Sequence, residues 1–500
     1  MSTTLKKRYL GGLEFYSQVR NHHDLYTTVL VTATFSKPLN KEGLYAALGQ
    51  VVAKEPFLRV DIDYDSDEIP YFRPLAKIDL DQTVAFVDDS MSRNLLTSFH
   101  SEKFVYANET PLWKIVVMGQ KELAFIFDHS CFDGSSGAFI LQKLTTALNQ
   151  NSPALNCNVL TLPVFEVSIE GMKSIIPPPL EELAPTIPSV WRALGIVSGE
   201  IFNFIKKELL SFSGYGRDYV FTGAPVPGAV HTNDDSVPVT CKWVGSYDYL
   251  DLNEEVSNKM VTLAKTRGVS VTSLLYVILL SALDNEIRKH CPEITLNQEG
   301  SKKAKIIGQC PINARRYFKT ETINTNEIIG NYVGNATSTM MVDLSGVEAG
   351  SEAFWVHALD FQSQLRSQLT IPLNSNTKPS PPSALESIGM LSLIPSVTSY
   401  VLSRLGQVRG DSLEISNLGV ISKPETNGSE YSVSRLRISQ STGAIGAPYK
   451  LTSVTNGKGG ALSLVLCVCE DKDSLVVGEL INKIDHIIQR LIEKVSVITL

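Results

Sequence analysis

The residues with the clearest chemical potential in this sequence are His129, Asp133 and Gly134, spaced as H-x-x-x-D-G. A histidine can take up and return a proton near neutral pH, so His129 is a candidate general base. Asp133 follows four residues later, where its carboxylate can brace a turn or cap a helix instead of touching the imidazole. The pattern alone leaves two interpretations open: an acid–base site, or an ordinary buried histidine followed by a helix cap.

The elements on either side of these residues favour the first interpretation. Residues 123–127 form a short apolar run with the length and composition of a buried strand. Beyond Gly134, apolar residues recur at the spacing of a helix: Phe139, Ile140, Leu141, Leu144 and Leu148. His129 is therefore predicted at the end of a strand, where a rigid sheet can present its imidazole to a ligand.

The motif and its strand–turn–helix context resemble the HxxxDG signature of the CoA-dependent acyltransferase superfamily. This superfamily includes chloramphenicol acetyltransferase, the plant BAHD enzymes, peptide-synthetase condensation domains and the yeast alcohol O-acetyltransferases. The opening GLEFY at 12–16 is similar to the yeast branch, and the BAHD motif D-F-G-W-G is absent from the sequence. The resemblance implies an α/β fold of two chloramphenicol-acetyltransferase-like domains. Each would be a mixed β-sheet packed with helices, with the active-site tunnel at their interface.

The resemblance also implies roles for particular residues. His129 would be the catalytic base, and Asp133 and Gly134 would support its loop. The Leu-Arg stretch that ends at Arg59 resembles a family segment whose arginine pairs with the motif aspartate, so Arg59 is the predicted partner of Asp133; the alternative is a surface arginine without a fixed partner. The Ser-Asn-Leu-Gly stretch suggests Asn417 or Ser416 as oxyanion donors, the alternative being a strand-end turn.

The implied reaction is acyl transfer from acetyl-CoA to a small or hydrophobic alcohol, with no metal. Two alternatives stay open: N-acetylation of a hydrophobic amine in the same site, and a non-catalytic binding protein with the same fold. A covalent serine route is disfavoured because no G-x-S-x-G elbow is present. Cys131 lies two residues from His129, but residues at that spacing in a strand need not form a nucleophile–base pair.

Composition and charge limit the partners that the protein can bind, and composition along the chain predicts its division into domains. A net charge of −7 provides no basic surface for nucleic acid. The predicted divisions are an N-terminal acyltransferase half at 1–175, a proline-rich crossover at 176–240 and a C-terminal half at 241–500. Seven cysteines without metal-binding spacing suggest reduced thiols, so we expect the protein in the cytoplasm. We also expect a monomer. An amphipathic helix predicted at 191–210 suggests docking on the second half or, alternatively, peripheral contact with the endoplasmic reticulum or a lipid droplet.

Overall fold

Two mixed β-sheets, each packed against helices, make up most of the structure. The computed structural model describes residues 7–150, 159–161, 176–188, 219–230, 238–290, 303–318, 327–343, 347–371, 381–422, 431–470 and 475–498. The strands are β1 (Arg8–Tyr9), β2 (Val29–Phe35), β3 (Val60–Tyr64), β4 (Pro70–Pro74), β5 (Lys77–Asp79), β6 (Val84–Val87), β7 (Trp113–Met118), β8 (Glu122–Phe127), β9 (Val159–Thr161), β10 (Tyr219–Phe221), β11 (Ala229–Val230), β12 (Thr240–Cys241), β13 (Gly245–Asp251), β14 (Ala304–Asn313), β15 (Val333–Val342), β16 (Leu413–Ile421), β17 (Val433–Gln440), β18 (Tyr449–Asn456) and β19 (Leu462–Cys469).

Helices cover both sheets, and the most apolar of them lie deepest in the protein. The helices are α1 (Gly12–His22), α2 (Lys41–Lys54), α3 (Leu80–Thr83), α4 (Arg93–Phe99), α5 (Gly134–Asn149), α6 (Leu180–Leu183), α7 (Glu254–Thr266), α8 (Val271–Ala282), α9 (Asp284–His290), α10 (Glu352–Leu369), α11 (Ser383–Leu391), α12 (Val397–Leu402) and α13 (Leu475–Ile498). The sequence of α8, VTSLLYVILLSA, is apolar on every face, and all but its first two residues are buried.

The first sheet has the order β17-β2-β8-β7-β6, so β8, which leads to His129, lies in its centre. Five of the six residues of β8 are buried, because strands pair on both sides and helices cover a face. Strand β8 pairs antiparallel with β7, with Trp113 opposite Phe127. Helix α5 then packs back against β2 and α2, so the loop carrying His129 is held at both ends.

The second sheet has the order β10-β14-β16-β18-β19-β13, and β15 pairs with β14. Strand β14 alternates buried and partly exposed residues, as expected of a strand with one face on the core. Strand β19 is buried along its whole length, as expected from its sequence LSLVLCVC, which is apolar except for Ser463. The predicted fold class, two mixed sheets packed with helices as in chloramphenicol-acetyltransferase-like domains, is confirmed.

One strand departs from a simple division into halves. Strand β17 comes from the C-terminal part of the chain but pairs with β2 at the edge of the first sheet. Its Arg437 reaches Asp251 of β13 with a 2.6 Å bond and also Glu122 of β8 at 3.3 Å. The two sheets are therefore joined by a strand as well as by side chains. The predicted boundaries at 175 and 240 stay predictions.

The crossover predicted at 176–240 is described at 176–188, 219–230 and 238–240, and its first described stretch contacts both halves of the chain. The carbonyl of Pro177 accepts from Arg8 at 2.9 Å, and that of Pro178 accepts from Tyr332 at 3.0 Å. The amphipathic helix predicted at 191–210 lies outside the described residues. In the part of the chain described, no single helix has the length and hydropathy to cross a membrane; the pair α7 and α8 passes together, but it is bent by 100°. The membrane contact stays a prediction.

Candidate active site

His129 lies two residues beyond β8, and its ring orientation is fixed by its own loop. The Nδ1 atom is 2.9 Å from the carbonyl oxygen of Phe132. Because a carbonyl can only accept, Nδ1 must carry the proton, and the lone pair of the neutral ring is on Nε2. Within the described residues Nε2 makes no hydrogen bond, and the side chain lines a cavity. The geometry thus presents an unoccupied basic nitrogen to the cavity.

The backbone of this loop is anchored from the second half of the chain. The Asn331 amide donates to the carbonyl of His129 at 2.6 Å. The backbone N–H of Asp133 donates to the carbonyl of Gly330 at 3.2 Å. The loop of His129 therefore depends on a segment about 200 residues away in sequence, just before β15.

The carboxylate of Asp133 is completely engaged in structural contacts. Its Oδ1 accepts from the backbone of Ser136 at 2.7 Å, which caps α5, and from Arg315 Nη2 at 3.1 Å. Its Oδ2 accepts from Arg315 Nη1 at 2.7 Å and from the backbone of Tyr332 at 2.9 Å. Four donors fill the acceptor positions of a carboxylate. Burial alone would raise the pKa of Asp133, but the Arg315 guanidinium and these bonds hold it below its ordinary value.

Arg315, and not Arg59, is the arginine at Asp133, which corrects the assignment that the resemblance implied. Arg59 ends a short 3-10 turn, Pro56–Arg59, directly before β3, and it is buried. Arg315 lies in a second 3-10 turn, Ala314–Tyr317, at the end of β14. The capping role of Asp133 and its ion pair coexist, so the two interpretations of this residue were not exclusive.

The surroundings of His129 keep its imidazole neutral. Burial lowers the pKa of His129 to about 4, and the positive charge of Arg20 lowers it further, against an opposing effect of Asp133. At neutral pH the ring is therefore in its basic form. The ring of Tyr26 lies next to the imidazole, and the centroids of the two rings are 5.9 Å apart.

The cavity in front of His129 has a volume of about 780 Å³ and is lined by both halves of the chain. Helix α1 and β2 contribute one wall, while β14, β16 and β18 contribute the other. Asn417 and Ser416 of β16, the predicted oxyanion donors, both line it, and their role stays a prediction. The Asn417 amide donates to Thr272 at 3.0 Å, and its oxygen accepts from Gly419 at 2.9 Å.

Gly134 has a packing reason to be glycine. A Cβ at this position would collide with the side chain of Ile438 on β17 and crowd Leu418 on β16. The first residue of α5 thus touches both sheets.

Cys131 is fully buried, and burial raises the pKa of its thiol well above the ordinary value. It is a core residue and not an available nucleophile.

Three residues near the site were missed by sequence reasoning: Arg315, Asn331 and Arg20. Arg315 and Asn331 give no local signal in the sequence, since their partners lie far away along the chain. Arg20 lies near the end of α1, where a basic residue is an ordinary helix feature. The described residues contain no group of three metal-binding side chains.

Solved structures share this fold across almost the whole chain. TRI3 trichothecene 15-O-acetyltransferase from Fusarium sporotrichioides superimposes with a TM-score of 0.61 at 12% identity, covering 97% of this chain and 94% of its own. The first condensation domain of the calcium-dependent antibiotic synthetase gives 0.54 at 13% identity, covering 99% and 96%. The fold is thus that of the acetyltransferase and condensation-domain class.

Sequence comparison then places the chain within this class. Residues 9–491 match the alcohol acetyltransferase family, so the chain belongs to that family and is an acyltransferase. An uncharacterised protein of Schizosaccharomyces pombe is 28% identical over 99% of both chains. A protein of Aspergillus fumigatus named probable alcohol acetyltransferase crmB is 23% identical over 84% of both. The suspected family is therefore confirmed.

Proposed function

We propose that this protein transfers the acetyl group of acetyl-CoA directly to the hydroxyl of a small or hydrophobic alcohol, with His129 as general base. The observation that carries the proposal is the Nε2 atom of His129, a lone pair without a hydrogen-bond partner in the described chain, on a cavity that both halves line. Membership of the alcohol acetyltransferase family supports the same reaction class.

The steps follow from the tautomer. The alcohol O–H donates to Nε2 of His129, and the oxygen attacks the thioester carbonyl as its proton moves to the ring. The tetrahedral intermediate then expels the CoA thiolate, which takes the proton from the imidazolium. The Phe132 carbonyl holds Nδ1–H throughout, so the ring keeps its orientation between the two proton transfers.

The developing oxyanion needs a donor, and Asn417 and Ser416 are the proposed ones. An amide nitrogen carries two hydrogens, and Thr272 takes one from Asn417. The second hydrogen of Asn417 and the hydroxyl of Ser416 are on side chains that line the cavity. Because Asn417 is also held through Gly419, its amide is positioned before substrate arrives.

N-acetylation of a hydrophobic amine is the second candidate. The charge near His129 favours the alcohol, since Arg20 lines the cavity and repels an approaching ammonium ion. A base with a pKa of about 4 is also poorly matched to removing a proton from an ammonium ion before attack. A hydroxyl needs no such prior step.

The test is a screen of purified protein with acetyl-CoA against alcohols and the amines of the same carbon skeleton, with release of the CoA thiol followed by a thiol reagent. We expect thiol release and an acetyl ester with alcohols and little product with the matched amines. Preference for the amines would replace the first candidate by the second. No acetylation of any acceptor by a folded protein would support a non-catalytic role.

A further inference from the structure

Arg20 is a cation of the cavity that takes no part in the proton transfers described above. Its guanidinium lies between two tyrosine rings, with its Cζ atom 4.5 Å from the centroid of Tyr16 and 4.6 Å from that of Tyr26. Stacking of this kind holds the planar group in one orientation. The side chain lines the cavity, and its Nε atom is buried without a hydrogen-bond partner. Among the described residues no carboxylate forms an ion pair with it.

A second cation also lies near the ring of Tyr26. Lys450 of β18 is 4% exposed, and its amine is 5.5 Å from the centroid of the Tyr26 ring. Its amine donates a hydrogen bond to the carbonyl of Ser441 at 3.2 Å. Burial lowers the pKa of Lys450, while the nearby carboxylate of Glu414 acts in the opposite direction. Lys450 therefore has a compensating acid, unlike Arg20.

The acids that line the cavity are already engaged. Glu414 accepts from Gln440 and faces Lys450. Asp411 accepts from Gln309, and the carboxylate of Asp133 is filled by its four donors. Positive charge at Arg20 is thus left without a protein counter-charge, on a surface that ligand can reach. A cation held in this way is suited to an anionic group with two oxygens, because the guanidinium fork matches a carboxylate.

CoA is itself anionic, but its phosphates lie at the far end of a long pantetheine arm from the thioester. Arg20 is separated from His129 by a single side chain, since the Tyr26 ring contacts both. A thioester placed for attack at His129 therefore keeps its phosphates away from Arg20. Arg316 and Arg366 line the same cavity but are exposed to solvent, which places them at its opening and suits them better to those phosphates.

We propose that the preferred acceptor is a hydroxy acid, whose carboxylate pairs with Arg20 while its hydroxyl lies at Nε2 of His129. This inference rests on the proposed acetyl transfer and names its acceptor class. The single tyrosine between the two groups requires the carboxylate and the hydroxyl to be a few bonds apart. The reaction forms the O-acetyl ester and releases the CoA thiol, and the carboxylate itself is unchanged.

The experiment compares β-hydroxydecanoate with its methyl ester, which has the same carbon chain and hydroxyl but no charge. With acetyl-CoA and the purified full chain, kcat/KM for the acid should exceed that for the ester by about 10- to 100-fold, the range of a charge-assisted hydrogen bond. This comparison uses the wild-type protein and does not depend on the folding of a variant.

Variants then test whether Arg20 causes the preference for the acid over its methyl ester. In Arg20→Gln the ratio of the two kcat/KM values should fall to about one, and Arg20→Lys should retain part of it. The matched control is Arg288→Gln, which removes an exposed arginine of α9 and should leave the ratio unchanged. Equal use of acid and ester by the wild type, or an unchanged ratio in a folded Arg20→Gln protein, would overturn the hydroxy-acid proposal and leave alcohol acetylation standing. Absence of thiol release with every alcohol would overturn both proposals.

Discussion

Two histidines of this protein, the partly buried His129 and the buried His100, differ in one decisive respect. His100 follows α4, is 3% exposed, and has both ring nitrogens in hydrogen bonds: Nδ1 with Thr28 at 2.9 Å and Nε2 with Ser439 at 2.7 Å. Its ring also stacks on Tyr247, with centroids 4.3 Å apart. His129 has only Nδ1 engaged within the described chain, and Nε2 faces the cavity.

Burial lowers the pKa of both rings, to about 3 in His100 and about 4 in His129. A depressed pKa therefore does not distinguish a catalytic histidine from a structural one here. The distinguishing feature is a lone pair that no protein group uses. His100 instead joins the two sheets, since Ser439 belongs to β17 and Tyr247 to β13.

The largest effect is expected from replacing His129. His129→Ala should lower kcat/KM by about 10²- to 10⁴-fold, the usual contribution of a positioned base, with little change in melting temperature. Steady-state thiol release and thermal melting measure the two effects. His486→Gln, at an exposed position on α13, is the control for losing a histidine. Activity within a few-fold of wild type in His129→Ala would end its assignment as the base.

Removing the charge of Asp133 should act mainly on stability. Asp133→Asn leaves the Arg315 guanidinium buried without its counter-charge, so we expect a loss of about 3–5 kcal/mol in the free energy of unfolding. Urea denaturation measures this loss. Arg315→Met should cost a similar amount, and the double variant less than the sum of the two, because the partners share one interaction. An Asp133→Asn protein with unchanged stability but no activity would contradict a structural role.

His100→Gln should show the opposite pattern from His129→Ala. A glutamine side chain cannot serve both Thr28 and Ser439 in the same way, so the free energy of unfolding should fall by about 1–3 kcal/mol. The kcat/KM of the folded protein should stay within a few-fold of wild type. If activity is lost while stability is retained, His100 belongs to the catalytic machinery and the contrast between the two rings fails.

Lowering the pH should change the stability and the activity less than the substitutions do. Both folded-state pKa values lie below the ordinary histidine value of 6.5. As the pH falls from 6.5 towards 4, the unfolded chain takes up protons at these residues that the folded chain does not, so stability falls. His100→Gln should lose less stability over this range than wild type. The kcat/KM of wild type should decline only as the pH approaches about 4, where His129 becomes protonated.

The local structure around His129 was predictable from sequence because short-range periodicity specifies it. An apolar run, a polar turn and a 3.6-residue repeat define β8, the loop and α5 without reference to the rest of the chain. The same holds for Asn40, whose side chain caps α2 by accepting from Gly43. Helix and strand types follow from spacing, since spacing decides which face of each element is apolar.

The assignment of Arg59 failed for the complementary reason. The Leu-Arg stretch that suggested Arg59 is a short local resemblance, but hydrogen-bond geometry depends on which strand ends meet in space. Arg315 reaches Asp133 because β14 ends beside the loop that β8 leaves. The pairing of β17 with β2, in the first sheet, likewise depends on long-range contacts, and no local pattern in 433–440 predicts it.

The sequence by itself thus determined the chemistry on offer: a histidine at a strand end, an aspartate and glycine that begin a helix, and the family to which the chain belongs. Tertiary structure decided how each group is used. It gave Asp133 its four donors, left Nε2 of His129 without one, and placed Arg20 across a tyrosine from that ring. The physical reason is that residue type fixes what a side chain can donate or accept, whereas folding alone decides which donors and acceptors meet.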